Sequence, residues 1–268
     1  MVLRARISTF VEVCSDRAEK SAWSSHLDDL ESCVSTFRIM EEMRIGLLDV
    51  AYESEASQMP QKLQEAYRAW HQAVTETEIV SSTLVLAGRR ALGREKDPEL
   101  TYGEVLFFPF YRLLDEIVKP RPGEVFADLG SGTGRAVFVA ALCFPRLAAC
   151  KGYEVSPPLH SDAVRCHNEL TGTMAPAELH CADVPRRTDW AAADIVWIAS
   201  VCLSDGTLRA IGARLAESLK PGARVIHMTE HFLRDDGAFE RVAEDPILVE
   251  MSFGVTGVFV ARRRGASE

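Results

Sequence analysis

At 268 residues the chain has room for one large domain, or for a medium domain with a smaller companion. Its 47% hydrophobic and 26% charged residues are those of a folded globular protein and exclude a disordered one. A formal net charge of −9 argues against nucleic acid as the main partner, since phosphate binding needs clustered Lys and Arg, and leaves a basic protein partner open.

No apolar run approaches the ~20 residues of a membrane span, so no membrane association is expected. The seven cysteines include no C-x-x-C pair and read as reduced thiols of a chain that is not secreted. The opening "MVLRARISTFVEV" is read as a short terminal segment rather than an organellar presequence.

The first hundred residues are predicted to be helical. Leu27, Leu30, Val34, Phe37, Met40, Ile45 and Leu48 recur at three- and four-residue steps behind an N-cap at Ser25. Pro60 opens a second helix, with Leu63, Tyr67, Trp70, Val74 and Ile79 on one face and a stop at Gly93. Both stripes are assigned to core, with no ligand. A division follows: a helical N-terminal region over 1–97 and a second domain over 98–268.

Past Pro98, "TYGE" (101–104) is a turn leading into the apolar helix "VLFFPFYRLLDEIV", which Pro109 interrupts or caps. Strands are then predicted at 124–130, 149–155, 177–184, 193–200 and 223–230. Helices fall at 135–143, 158–170 and 205–222, the last capped by Asp205. The runs "PILVEMSF" and "TGVFVARR" close the chain as an antiparallel pair. Strands alternating with helices imply a parallel sheet covered on both faces.

The first strand runs into "FADLGSGTGR" (126–135). Glycines 130, 132 and 134 leave the backbone bare for close approach of a ligand. Their G-x-G-x-G spacing departs from the dinucleotide fingerprint G-x-G-x-x-G. Asp128, Glu154 and Asp183 stand at three successive strand ends, where an open α/β sheet binds ligands. Glu154 suits the two hydroxyls of a ribose, and Asp183 the exocyclic amine of adenine. An acid-lined edge favours S-adenosyl-L-methionine, which carries a sulfonium cation and no phosphate.

In this loop the sequence resembles the class I methyltransferases. That implies an α/β, Rossmann-like seven-stranded sheet, here with a helical N-terminal region. Over roughly 98–230 it resembles more narrowly the DOT1 family of histone lysine methyltransferases, which pairs "YGE" with "DLGSGxG" one helix downstream and has "GxE" at the end of the second strand.

The resemblance implies an S-adenosyl-L-methionine site built from Thr101, Tyr102, Gly103, Glu104 and Val105, from Asp128, Leu129, Gly130, Ser131, Gly132, Thr133, Gly134 and Arg135, and from Glu154, Asp183 and Val184. The Tyr102–Glu104 loop would fold over the methionine part of the cofactor. Arg135 either pairs with the methionine carboxylate or is a solvated first-turn arginine. Tyr102, Glu104 and Ser200 are the catalytic candidates. Tyr102, Phe107, Phe108 and Trp197 are candidate walls of an acceptor channel, with core the favoured reading for the last three.

The chain departs from the family where an Asn commonly follows the fourth strand. Here the residues are Ala199, Ser200 and Val201, and Ser200 offers a hydroxyl but no amide. Val105 replaces a frequent Thr, and the basic nucleosome-holding tail of some members is absent.

No metal site is expected. His227 and His231 have a helical ligand spacing but fall at a strand end. The expected activity is therefore methylation of a basic protein, a histone or nucleosome, in the nucleus. The alternatives are a methyltransferase for a non-histone protein or small molecule, in the cytoplasm, and a non-catalytic cofactor-binding subunit.

Overall fold

A computed structural model describes residues 52–187, 189–233 and 237–265. The helical stripe predicted from Ser25 to Leu48 lies outside the described residues. The chain divides into two compact units, Met1–Met59 and Pro60–Glu268. All the candidate site residues belong to the second.

That unit opens with helix α1 (Gln61–Ala91), preceded by Pro60 in an extended conformation. Leu63, Tyr67, Trp70 and Val74 are buried along one face, as their spacing predicts. The helix ends at Gly93, whose φ of 64° is the left-handed C-terminal signature that glycine adopts without strain. The division expected at residue 97 does not coincide with a unit boundary, because α1 packs on the helices that follow β1 and β2. Gly88 sets that approach. A Cβ there would lie 2.0 Å from Ser156 Oγ, so a side chain would force Ser156 or the helix to move.

Helix α2 (Phe107–Arg112) continues into a π-helical turn, Leu113–Val118. Pro109 sits in the first turn of α2, where a missing N–H breaks no intrahelical bond, so it caps rather than interrupts. Phe107, Phe108 and Phe110 are buried; Phe107 packs on Tyr67 and Trp70, and Phe108 on Tyr67. The two channel candidates Phe107 and Phe108 are therefore core.

Five parallel strands follow: β1 (Val125–Leu129), β2 (Ala149–Glu154), β3 (Ala177–Cys181), β4 (Ile195–Ile198) and β5 (Arg224–His227). Helices α3 (Arg135–Cys143), α4 (Pro157–Glu169) and α5 (Asp205–Ser218) connect or follow them. The strands β6 (Phe239–Arg241), β7 (Ile247–Met251) and β8 (Gly254–Arg263) complete the unit.

The order is β3-β2-β1-β4-β5-β8-β6, with β7 paired to β8. β8 runs antiparallel to β5. This is an α/β, Rossmann-like sheet, with one strand more than the seven expected. The extra strand, β6, is three residues long, too short to show a period in sequence.

β1 and β4 are adjacent, and from them the chain winds outward in opposite directions. A crevice opens at such a switch point, at the carboxyl ends of the strands. The register sets Asp128 opposite Gly152 of β2 and Trp197 of β4.

Two local expectations shift. The third strand stops at Cys181 rather than 184, because Asp183 leads into a 3-10 turn, Val184–Arg186, built on Pro185. The cap of α5 is Ser204, not Asp205; its Oγ accepts the Thr207 N–H at 3.3 Å.

Candidate active site

The glycine loop leaves β1 and turns into α3 with Gly130, Gly132 and Gly134 all at positive φ. Four of its backbone donors are already bonded within the protein. Gly130 and Ser131 donate to Tyr153 O at 2.9 and 3.0 Å, and Gly134 donates to Ser131 O at 2.7 Å. Gly132 donates to Glu154 Oε2 at 2.7 Å. A pyrophosphate needs such N–H groups pointing at it. Those four N–H groups are therefore not offered to a phosphate, while the bare backbone still allows close approach.

Glu154 Oε1 accepts the Ser156 N–H at 2.7 Å. Its carboxyl is raised above the ordinary value by burial, against the pull of these backbone donors. Asp128 is 2% exposed, and its Oδ1 has no hydrogen-bond partner. Burial first, and the neighbouring Glu154 charge second, hold the Asp128 carboxyl well above the usual carboxylate range.

The "TYGE" segment is a strap across this loop. The Tyr102 ring lies on Gly132, where a Cβ would be 2.4 Å from Tyr102 Cε2. The phenol donates to Glu104 Oε1 at 2.6 Å and accepts from Thr133 Oγ1 at 2.7 Å. Burial, then Glu104, raise its pKa well above the ordinary tyrosine value, so it stays protonated. The Glu104 N–H donates to Ser252 Oγ and the Ser252 N–H returns to Glu104 O, each at 2.9 Å. Val105 is buried and bridged to Met251. The strap is thus fixed to both the glycine loop and the β7–β8 hairpin.

Arg135 is 3% exposed, its Nε 3.1 Å from Glu104 Oε1 and its guanidinium 5.3 Å from the centre of the Trp70 ring. It is a buried partner of the strap, not a solvated arginine.

Two cavities meet here. The larger, about 350 Å³, is walled by Thr101, Tyr102 and Gly103, by Leu129 and Gly130, by Glu154, and by Asp183 and Val184. The smaller, about 30 Å³, is lined by Tyr102 to Val105, Asp128, Gly130, Ser131, Arg135, Trp197 and Met251. Tyr102, Gly103, Gly130 and Ala199 face both. Of the remaining predicted site residues, Gly132, Thr133 and Gly134 line neither cavity and act through the hydrogen bonds and turn just described. Asp183 is 44% exposed and 3.2 Å from Arg186 Nε.

Ser200 requires a correction. It is fully buried and lines neither cavity. Its Oγ accepts the Met228 N–H at 3.0 Å and lies 2.9 Å from Thr229 Oγ1, so it ties the end of β4 to the end of β5. Ala199 faces the cavities instead, with no functional group. Trp197 is 2% exposed and borders the smaller cavity, while also packing on Phe110 at 5.2 Å.

Several site residues carried no mark in the sequence. Gly88 and Arg89 of α1 line the larger cavity, with Arg94, Glu99 and Thr207. Arg89 Nε and Nη2 both donate to Leu100 O at 3.2 Å. Glu99 Oε1 accepts from Ser204 N at 3.0 Å and Thr207 Oγ1 at 2.7 Å, joining the strap to the start of α5. A polar residue late in a helix or in a loop has no periodicity to betray such a role.

The histidines at 227 and 231 do not converge. His227 is buried with Nδ1 3.1 Å from Thr229 O, and His231 pairs with Asp205 at 3.3 Å. Among the described residues no three His, Cys, Asp or Glu side chains are grouped to hold a metal. Among them, too, no helix is long and apolar enough to cross a membrane.

S-adenosylmethionine fits this donor set. The larger cavity falls in the size range of small-molecule sites. Glu154 offers a carboxylate to a diol, Asp183 lies at the far wall, and the orphaned Asp128 oxygen calls for a cationic donor. The Glu104–Arg135 pair neutralises itself.

No protein-family model matches the sequence, and no curated protein matches it. Solved structures with a similar chain course include a protein of echinomycin biosynthesis that converts a disulfide into a thioacetal, 17% identical over 66% of this chain and 92% of that one, with a TM-score of 0.47. Magnesium protoporphyrin IX methyltransferase from Synechocystis, bound to S-adenosylhomocysteine, is 15% identical over 68% and 98%, also with a TM-score of 0.47. TrmN from Thermus thermophilus is 19% identical over 57% and 48%, with a TM-score of 0.45. Matches this distant assign no substrate.

Proposed function

We propose that the chain is an S-adenosylmethionine-dependent methyltransferase. The observation that carries this reading is the pairing of a glycine loop in which all three glycine N–H groups are already bonded with a buried, partnerless carboxylate oxygen on Asp128. The first feature disfavours a phosphate ligand and the second asks for a cation. When bound, the cofactor supplies an electrophilic methyl on a sulfonium. The chain's own residues position and desolvate: Glu154 takes the ribose, Asp128 the amino group of the methionine part, and the Tyr102 strap excludes water above them.

Two acceptor classes follow from different residues. The strap of Tyr102, Gly103 and Glu104 over Gly132 supports a lysine on a basic protein, as in the DOT1 family. Ala199 at the cavity junction, with Ser200 turned into the core, favours a non-histone protein or a small molecule, since no side chain there orients an amine as the family Asn would. We place this second class first.

The test is methyl incorporation from labelled S-adenosylmethionine into nucleosomes, core histones, an extract's protein fraction and its small-molecule fraction. Gly132→Arg serves as the inactive control. Label in a non-histone fraction alone is expected. Label in histones restores the lysine reading. Cofactor binding with no label in any fraction would leave a non-catalytic subunit.

A further inference from the structure

The mechanism above uses Asp128 and Glu154 as two ligands, yet they form one electrostatic unit. Both are buried, Asp128 at 2% and Glu154 at 7% exposure. They stand on adjacent strands, Glu154 two residues beyond the Gly152 that faces Asp128. Glu154 is compensated by the backbone N–H groups of Gly132, Ser156 and Val155, whereas Asp128 Oδ1 has nothing.

Among the described residues that line its cavity, no cation is left to serve Asp128. On β4 its neighbour is Trp197, which is uncharged. From the strap, Tyr102 and Glu104 share its cavity; the phenol is neutral and Glu104 adds a further negative charge. From α3 the cavity receives Arg135, which faces Glu104. The β7–β8 hairpin contributes Met251, without charge.

Two buried carboxylates side by side cannot both ionise cheaply, and the one without donors is the one that keeps its proton. Burial and the Glu154 charge act on Asp128 in that direction.

We propose that cofactor binding expels a proton from this pair, so that the affinity of the site for S-adenosylmethionine is set by pH through Asp128. The inference rests on the methyltransferase reading above. In the empty protein the carboxyl of Asp128 holds its hydrogen. When the ligand's ammonium arrives, the carboxyl O–H ionises, the proton passes to solvent, and Oδ1 accepts an N–H from the ligand. The ammonium keeps its own proton and no other bond changes.

The sign is fixed by linkage. The free protein binds more protons than the complex, so affinity rises with pH up to the pKa of the empty site, until the free ligand loses its own α-ammonium proton near about pH 8. While release is complete, the dissociation constant tightens about tenfold per pH unit.

The experiment is calorimetric titration of the full chain with S-adenosylmethionine at steps between about pH 5 and about pH 7, where the ligand's α-amino group stays protonated, with two buffers of different ionisation heat at each step. The two buffers differ in ionisation heat, so the difference in apparent binding heat counts protons. Release approaching one proton per site is expected, falling as the pH nears the pKa of the empty site. Asp128→Asn is expected to bind more weakly, with no release and a flat pH profile. Glu154→Gln should bind with less release, because the like charge is gone.

Binding with no proton released at any pH would overturn the proposal and leave the methyltransferase reading standing. So would full release in a folded Asp128→Asn protein. Absence of binding at every pH would overturn both. The count on the unmodified chain needs no variant to fold.

Discussion

The Tyr102 ring lies directly on the backbone of Gly132, while its hydroxyl joins Thr133 to Glu104. Position 132 combines a φ of 52° with no room for a methyl group. Gly132→Ala is therefore expected to lift the strap and to cost about 1–3 kcal/mol. Calorimetry should show cofactor affinity reduced at least about tenfold. Tyr102→Phe keeps the ring and loses two hydrogen bonds, so its effect on cofactor affinity should be smaller, although the lost bond to the Glu104 carboxylate costs about 2 kcal/mol of stability. Equal losses in both variants would mean that the ring contact matters little.

Glu99 fastens the strap to Ser204 and Thr207 of α5 beside the larger cavity. Its carboxyl is held below the ordinary value by hydrogen bonds from Ser204 and Thr207. The fastening is thus present above the unfolded carboxylate pKa and is lost as pH falls through the folded one. Glu99→Ala should speed cofactor dissociation several-fold in stopped-flow fluorescence. An unchanged off-rate would show that ligand exchange does not pass through this contact.

Ser200 is expected to matter for stability and not for chemistry. Ser200→Ala leaves the buried Met228 N–H without an acceptor, a loss of about 1–3 kcal/mol. The thermal midpoint should fall by several degrees, with turnover per folded molecule close to that of the parent. A collapse of turnover without a stability change would return Ser200 to the catalytic set.

His227 is buried between Phe232 and Phe259, and burial lowers its pKa to about 4 from 6.5. The folded state holds the ring neutral. Stability is complete above the unfolded pKa, and is lost as pH falls from that value toward the folded one. The full loss is about 3 kcal/mol. Urea unfolding at about pH 7 and about pH 5 should show the difference, and His227→Gln should flatten it.

Much of this was legible from the chain. Apolar strands ending in Asp128, Glu154 and Asp183, and helices with stripes such as Leu63–Tyr67–Trp70–Val74, follow from local periodicity, which acts within a few residues. The left-handed turns at Gly130, Gly132 and Gly134 follow from missing side chains. These determine the sheet and one edge of the site. Tertiary structure alone decided that Arg135 faces Glu104, that Ser200 turns inward while Ala199 faces the cavities, and that Gly88, Arg89 and Glu99 help wall the larger one. Each of these depends on which distant segment arrives beside it. A polar residue's role is set by its partner across space, and the sequence records no periodicity for that.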